Sequence, residues 1–400
     1  MTHVIVRSVP PATQVLAQMR EDARFDVSDD DGACVPDWGS VTAIHGPPPP
    51  PKVPKVFMSN DCVFNCAYCT CRATRDCRRY ALQPRELARF AVLEAERQHR
   101  GIFLTSAIFR NADYTQELII ETCRIIRQEH AYGGYLHAKV MPGADASLIA
   151  ETGRLANRLS VNIEVARSEG YRMVAKQKNR DNILTPMRTI RDLIAEGGGR
   201  RRGFATTQTT QLMAGAAGED DRTILTLSRA LYDRFHLNRV YYTAFHYAHP
   251  AKGYDLAPVD TPHWRMARLY QADRLMQLYG FTPQELTDET APNLPADLDP
   301  KAAWALRNLH RFPVDAQSAD YEMLLRVPGI GVTAAQRIVA ARRLGRLDFD
   351  ALRRIGVSLK RSRFFLTCNG RSYCGFSTET PGLRAVLTGE RNMEQMTMEL

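Results

Sequence analysis

From residue 55 to about 285 the sequence alternates short apolar runs with helix-length amphipathic stretches, and this alternation restricts the fold more than any other feature. Lys55 to Met58, Gly101 to Thr105, Gly134 to Met141, Arg158 to Val165, Gly203 to Met213 and Arg239 to Phe245 read as strands. Between them Pro84 to His99, Tyr114 to His130, Asp145 to Leu155, Arg180 to Glu196 and Asp220 to Phe235 read as helices, with Thr261 to Tyr279 as the last. Strands separated by helices need crossover connections, which make neighbouring strands parallel. Six such units curl toward a barrel without the eight that close one. The expected fold class is therefore α/β, a partial (β/α)6 TIM-like barrel.

The flanks have other textures. Residues 1–54 read as an extension: a candidate helix from Pro11 to Arg24, an acidic patch around Asp29 to Asp31, and a proline run, Pro47 to Pro51, that acts as a semi-rigid linker. The barrel domain is expected over 55–290 and a helical domain over 291–370, after an irregular stretch carrying Pro292, Pro295 and Pro300. Residues 371–400 form a tail with little periodicity. A charged fraction of 24% and a hydrophobic fraction of 44% fit a globular chain. No run of 18 apolar residues predicts a membrane span. The first residues lack a signal-peptide pattern, and with nine clustered cysteines the expectation is a reducing cytoplasm.

Three of those cysteines sit in Cys62-Val-Phe-Asn-Cys66-Ala-Tyr68-Cys69, just after the first predicted strand. Parallel α/β sheets place their chemistry at that strand end. Iron–sulfur clusters are held by thiolates, normally one per iron. Three ligands on one loop would hold three irons of a four-iron cluster and leave one open. A zinc site is a rival reading, since Cys71 and Cys77 would complete one, although zinc ligands usually come in pairs separated by a longer loop. A glycosylase-type structural cluster, which needs four ligands at wider spacing, and plain buried cysteines are the others.

The spacing, with an aromatic residue before the last cysteine, resembles the signature of radical S-adenosylmethionine (radical SAM) enzymes. The resemblance implies a [4Fe-4S] cluster on Cys62, Cys66 and Cys69, with SAM chelated to the open iron. It further implies an electron donor such as flavodoxin or ferredoxin, and reductive cleavage of SAM to a 5′-deoxyadenosyl radical. It makes Tyr68, Thr105, Ser106, Asn162, Glu164 and Gln208 the candidate cofactor-binding residues. Asn162 and Glu164 stand two apart in a predicted strand and so should share a face; burying them needs a partner or a ligand. Gln208 precedes the glycine turn Gly215 to Gly218, which resembles the turn beside adenine in this superfamily. The cluster Tyr241 to His249 ends the sixth predicted strand, and His246 is the catalytic candidate, since imidazole moves protons near neutral pH. Core aromatics at strand spacing are the competing explanation.

Val327-Pro-Gly-Ile-Gly331, followed by Ala334, Ala335 and Ile338, reads as a helix-hairpin-helix. Gly329, Gly331, Val332 and Thr333 would offer backbone N–H groups to a phosphate, with Arg337, Arg342 and Arg343 beside them. Between Tyr321 and Leu366 stand ten basic and three acidic residues, an excess of seven within a whole-chain excess of nine. Such a patch suits sequence-independent phosphate binding; a protein–protein use of the same motif is the alternative. Cys368 and Cys374 would join Cys71 and Cys77 only if a second metal site exists.

The combination resembles the DNA modification/repair radical SAM proteins over roughly Ser28 to Gly370. The resemblance is carried by the cysteine loop, Asp113-Tyr-Thr, His137 to Asp145, Leu159 to Glu164, Ile183 to Met187 and Val327 to Gly331. One departure is Val165-Ala-Arg, where those proteins often carry Leu-Pro. The implied function is a radical SAM enzyme modifying or repairing a nucleotide, in DNA more than RNA. Two alternatives remain. One is a nucleic-acid-binding protein with a structural or redox-sensing cluster. The other is a radical enzyme acting on a small molecule or peptide.

Overall fold

The computed structural model describes residues 55–98, 101–197, 203–246, 252–256, 261–373, 377–378 and 382–389. The predicted N-terminal helix, acidic patch and proline run, together with Tyr247, His249 and Cys374, lie outside them.

The strands are β1 (Lys55–Phe57), β2 (Ile102–Thr105), β3 (Leu136–Lys139), β4 (Arg158–Ser160), β5 (Thr207–Ala214) and β6 (Arg239–Ala244). They form one six-stranded sheet in sequential order, with every neighbouring pair parallel. The crossings run through helices α1 (Pro84–Gln98), α2 (Ala112–Arg124), α3 (Ala146–Leu155), α4 (Ser168–Val174), α5 (Arg180–Gly197) and α6 (Asp221–Phe235). The partial (β/α)6 arrangement expected from the alternation is present.

Register divides the sheet into two chemically different faces. Val56, Leu104, Ala138 and Leu159 are successive register partners and are essentially buried. Gln208 continues that row, and its amide reaches the Met187 carbonyl of α5 at 3.2 Å. This face is thus the helix-covered one. On the opposite, inner face, Lys139, Ser160, Thr209 and Arg239 are register partners. His137 lies on it too, donating to or accepting from the Ser160 hydroxyl at 2.8 Å. All five cationic or imidazole residues of the six strands, Lys55, His137, Lys139, Arg158 and Arg239, fall on the inner face, and none of these six strands carries an acid. Apolar residues outward and polar residues inward is the pattern of a barrel whose interior works and whose outside packs.

By contact the chain divides into two units. The first holds the sheet and runs through Glu219, resuming over Ala230–His263; the second comprises Asp220–Arg229 and the chain from Trp264. In the second, α7 (His263–Leu278), α8 (Pro283–Leu286) and α9 (Pro300–Arg307) precede α10 (Tyr321–Arg326), α11 (Val332–Ala341), α12 (Phe349–Arg354) and α13 (Leu359–Ser362), and α14 (Leu383–Thr388) follows. An aromatic chain, Phe281, Trp304, Phe312 and Phe365, joins edge to face at its core. Asp299, Asp320 and Asp348 cap α9, α10 and α12 by accepting the N3 N–H, which satisfies donors a helix start leaves open. The unit is not all-helical as expected: β7 (Val314–Asp315) pairs with β8 (Leu366–Thr367) in a short parallel ladder. Two-residue strands have no periodicity to read. No helix among the described residues is long and apolar enough to cross a membrane.

Candidate functional site

The cysteine loop leaves β1 at the carboxyl edge of the sheet and is fastened along its length. The Met58 N–H donates to Thr105, Ala107 donates to Ser59, and Val63 donates to Ile108 at 2.9–3.0 Å, which zips the loop to the segment after β2. Ala67 donates to the Val174 carbonyl at the end of α4 at 2.8 Å. The Asn65 N–H reaches Gln177 at 3.3 Å, and its side-chain amide reaches the Lys252 carbonyl at 3.2 Å. Arg79 closes the loop. Its guanidinium donates to the carbonyls of Asn60 (2.6 Å), Cys71 (2.8 Å), Arg72 (2.6 Å) and Arg75 (2.9 Å). A planar fork with five donors can satisfy four carbonyls at once. Asn60 works beside it, donating to Arg78 and accepting from the Tyr80 N–H.

The three cysteines lie within one another's electrostatic reach and have unlike environments. Burial pushes the Cys66 thiol up to about 12, and Cys62 to about 11. Cys69 is lowered to about 7, first by a hydrogen bond from the Cys71 side chain. Backbone N–H groups point at two of the sulfurs: Phe64 at Cys62 and Cys71 at Cys69, both at 3.4 Å. Such N–H···S bonds suit ligating thiolates and tune cluster potentials. Among the described residues no three His, Cys, Asp or Glu side chains converge as ligands of a single ion do.

Above the thiols sits a buried ion pair that the sequence reading did not contain. Lys178 Nζ donates to Glu164 Oε1 at 2.7 Å and to the Tyr68 hydroxyl at 3.1 Å. The Lys178 and Glu164 side chains are 11% and 5% exposed, so the pair is withdrawn from water. Burial opposes the charge on Lys178, yet Glu164 and the neighbouring cysteine sulfurs hold its pKa above the usual lysine range. Burial likewise raises Tyr68. Glu164 reaches this position by leaving the strand geometry. β4 ends at Ser160, and Glu164 sits at φ 65°, a left-handed conformation that favours glycine. Its backbone is fixed by bonds from the Glu164 N–H to Gln211 (3.0 Å) and from Met213 to the Glu164 carbonyl (2.8 Å). The expected alternation of Asn162 and Glu164 on one strand face therefore does not apply. The geometry still brings Glu164 to Tyr68, next to the cysteines.

Thr105 is the buried last residue of β2, and the Ser106 hydroxyl is turned onto the Ala107 carbonyl at 2.8 Å. Gln208 is not brought to the cysteines. It is the second residue of β5 on the helix-covered face, donating to Met187 and, at 3.5 Å, to Phe235. The glycine turn after β5 is closed by its own Glu219, whose carboxylate accepts from Gly215 (3.0 Å) and Ala217 (2.9 Å). The His246 ring lies 5.3 Å from that of His263, tilted by 45°. On the inner face the Thr209 and Thr243 hydroxyls are buried without a partner among the described residues.

In the second unit, α10 and α11 are joined by Val327 to Gly331, with Gly329 at φ 87° and Gly331 as the N-cap of α11. A side chain at Gly329 would press against Arg361 and the Ser362 backbone at 3.3 Å. The loop is backed from within: Lys301 donates to the Ile330 carbonyl at 2.5 Å, and the Val332 N–H faces the Tyr279 hydroxyl. Arg337 donates to the Ile355 carbonyl at 3.1 Å, and Arg342 to Ala319. Arg343 is exposed, and Thr333 is exposed at the start of α11.

No protein-family model matches the chain, and no curated protein matches it. Solved structures that it resembles include the [FeFe]-hydrogenase maturase HydG (16% identity over 56% of this chain and 48% of that one, TM-score 0.43). Methylornithine synthase PylB (16%, 56% and 61%, TM-score 0.41) is another. A third is coproporphyrinogen III oxidase HemN of Escherichia coli, described as a radical SAM enzyme (15%, 37% and 32%, TM-score 0.27). The chain spans about half the length of the first of these.

Proposed function

We propose that this chain is a radical SAM enzyme that modifies or repairs a nucleotide in nucleic acid, DNA more than RNA. The observation that carries the enzyme half is the loop bearing Cys62, Cys66 and Cys69. Six hydrogen bonds fasten it to Thr105 and to the segments that follow β2, β4 and β6 of a six-stranded parallel sheet, with a buried lysine–glutamate pair beside it. Cys62, Cys66 and Cys69 would hold the [4Fe-4S] cluster. When bound, cluster and SAM together supply a carbon-centred radical able to take hydrogen from an unactivated C–H bond.

The protein's own residues have separable tasks. Arg79 and Asn60 fix the backbone of the loop that carries the three cysteines. Lys178 places positive charge against the sulfurs and offsets the anionic charge a thiolate-bound cluster brings. Glu164, held at an unfavourable φ, presents a carboxylate for a cationic group of SAM, and Thr105 closes the same edge from β2. The buried hydroxyls of Thr209 and Thr243 are the kind of group a polar ligand inside the barrel would engage. Electrons come from an external donor of the flavodoxin or ferredoxin kind.

The nucleic-acid half rests on charge. In the helical unit Arg337, Arg343, Arg346, Arg353, Arg354 and Lys360 are exposed, while Arg326 and Arg361 pair with Glu285 and Asp299 and Arg363 is buried. A helix-hairpin-helix there would bind phosphates without reading sequence. The test is anaerobic reconstitution with iron and sulfide, then incubation with SAM and a strong reductant, with and without DNA or tRNA. Formation of 5′-deoxyadenosine supports the enzyme reading, and its absence under all conditions refutes it. Nucleoside mass spectrometry of the recovered nucleic acid then tests the substrate.

A further inference from the structure

The turn after α11 has an unusual composition for a loop. Leu344 is 91% exposed, whereas the other exposed large hydrophobic residues described reach at most 55%. A single exposed leucine is ordinary, but this one is framed by Arg343, Gly345 and Arg346, all exposed. Neither guanidinium has a hydrogen-bond or ion-pair partner among the described residues. The nearby acids are engaged: Asp348 caps α12 through the Ala351 N–H, and Asp350 lies 3.6 Å from Arg353.

The turn is also held in shape. One side chain, Gln317, pinches its base, donating to the Arg342 carbonyl at 3.2 Å and accepting the Leu347 N–H at 2.9 Å. Leu347 is buried, and the Arg342 side chain is fastened to the Ala319 carbonyl. Within the turn Leu344 donates its N–H to Ala341 at 3.0 Å. Both feet of the turn are therefore fixed while its tip projects an apolar side chain between two unpaired cations. Ordering such a tip is costly in a free loop, so a pre-formed one loses less entropy on binding.

We infer that Arg343-Leu344-Gly345-Arg346 is a wedge for duplex nucleic acid: Leu344 enters a base step while Arg343 and Arg346 bind the flanking phosphates. The reading rests on the nucleic-acid half of the proposed function. Apolar wedges unstack a base step at a cost that flanking backbone contacts offset. Such a step also suits an enzyme whose target base lies inside a duplex, because base chemistry needs the base out of the stack.

The test uses the full chain and a short DNA duplex carrying 2-aminopurine at alternate positions. Wild type should bind in a salt-sensitive manner and raise 2-aminopurine fluorescence as bases unstack. Leu344→Ala should still bind, within several-fold, but lose the fluorescence rise. Arg343→Ala and Arg346→Ala should each lower the log–log salt slope by about 0.9. Leu344→Trp supplies a second signal, since insertion quenches its emission. Binding with the fluorescence rise intact in Leu344→Ala overturns the wedge and leaves the nucleic-acid reading standing. No salt-sensitive binding by wild type overturns both. A concentration-dependent dimer in sedimentation that Leu344→Ala abolishes overturns the wedge in favour of self-contact.

Discussion

The Lys178–Glu164 pair yields a prediction that needs no cofactor, because it concerns charge burial in the apo-protein. At 2.7 Å and an effective dielectric constant of about 20 the two charges attract by roughly 6 kcal/mol, which offsets the cost of taking both from water. Removing one partner leaves the other buried alone, which costs about 3–5 kcal/mol. The survivor can escape by neutralising, and that sets a pH-dependent ceiling. In Glu164→Gln the lone lysine falls below its unfolded pKa of about 10.4, so the ceiling is about 4.6 kcal/mol at pH 7. The unfolded chain then binds the extra proton, so the loss shrinks by about 1.4 kcal/mol per pH unit toward pH 9. In Lys178→Met the carboxylate is left buried without its counter-charge, and the loss at pH 7 should be about 3–5 kcal/mol. The double variant removes both charges and should lose much less than the sum. Urea unfolding of the reduced apo-protein at several pH values measures all four corners. The reasoning is refuted if both single variants lose under about 1 kcal/mol at pH 7. It is equally refuted if their losses add in the double variant and the Glu164→Gln loss does not shrink as pH rises.

Other outcomes follow from the same geometry. Arg79→Lys keeps the charge but cannot reach four carbonyls, so iron incorporation on reconstitution should fall well below wild type while far-UV circular dichroism stays unchanged. Cys62, Cys66 and Cys69 to alanine should each abolish stable cluster formation, whereas Cys77→Ala should retain about four irons per chain, the number of irons in the cluster; iron and sulfide assays decide. Lys301 is buried with its pKa lowered to about 7, chiefly by desolvation. A lowered lysine pKa makes the unfolded chain the stronger proton binder, so its penalty is full below pH 7 and is relieved as pH rises toward about 10.4. Lys301→Met should flatten the rise of thermal stability with pH across that window; parallel curves for variant and wild type would contradict it.

The sheet was readable because its outer row repeats the same chemistry strand after strand. Val56, Leu104, Ala138 and Leu159 are what a helix-covered face requires, and the crossovers follow from their spacing. Legibility failed where the backbone departs from a period. Arg158 to Val165 reads as one strand, yet the ladder stops at Ser160 and Glu164 turns through φ 65°, which alternation cannot foresee. The seven-residue α4 is too short to show a helical period with only Gly170, Tyr171 and Val174 buried, yet its end carries the Val174 carbonyl that holds Ala67. Gln208 attracted notice through a glycine turn seven residues on, but strand parity from Thr209 sends it to the other face.

Lys178 was illegible for a different reason, which bears on how the site works. A lysine between Gln177 and Asn179 has every compositional mark of a solvated loop. Nothing local distinguishes it from Lys176, two residues earlier, whose ammonium lies on the Gly253 carbonyl at 2.5 Å and over the Tyr254 ring. What separates them is a partner 14 residues upstream whose own placement depends on β5, through Gln211 and Met213. The ion pair is therefore a readout of correct assembly: it forms only when the loop after β4, strand β5 and the segment after α4 are all in register. A charge that would be costly to bury alone is buried only where the cysteine loop and the sheet edge meet. The polarity that the proposed cluster and a cationic cofactor would require is thus supplied by the fold as a whole and not by the cysteine motif.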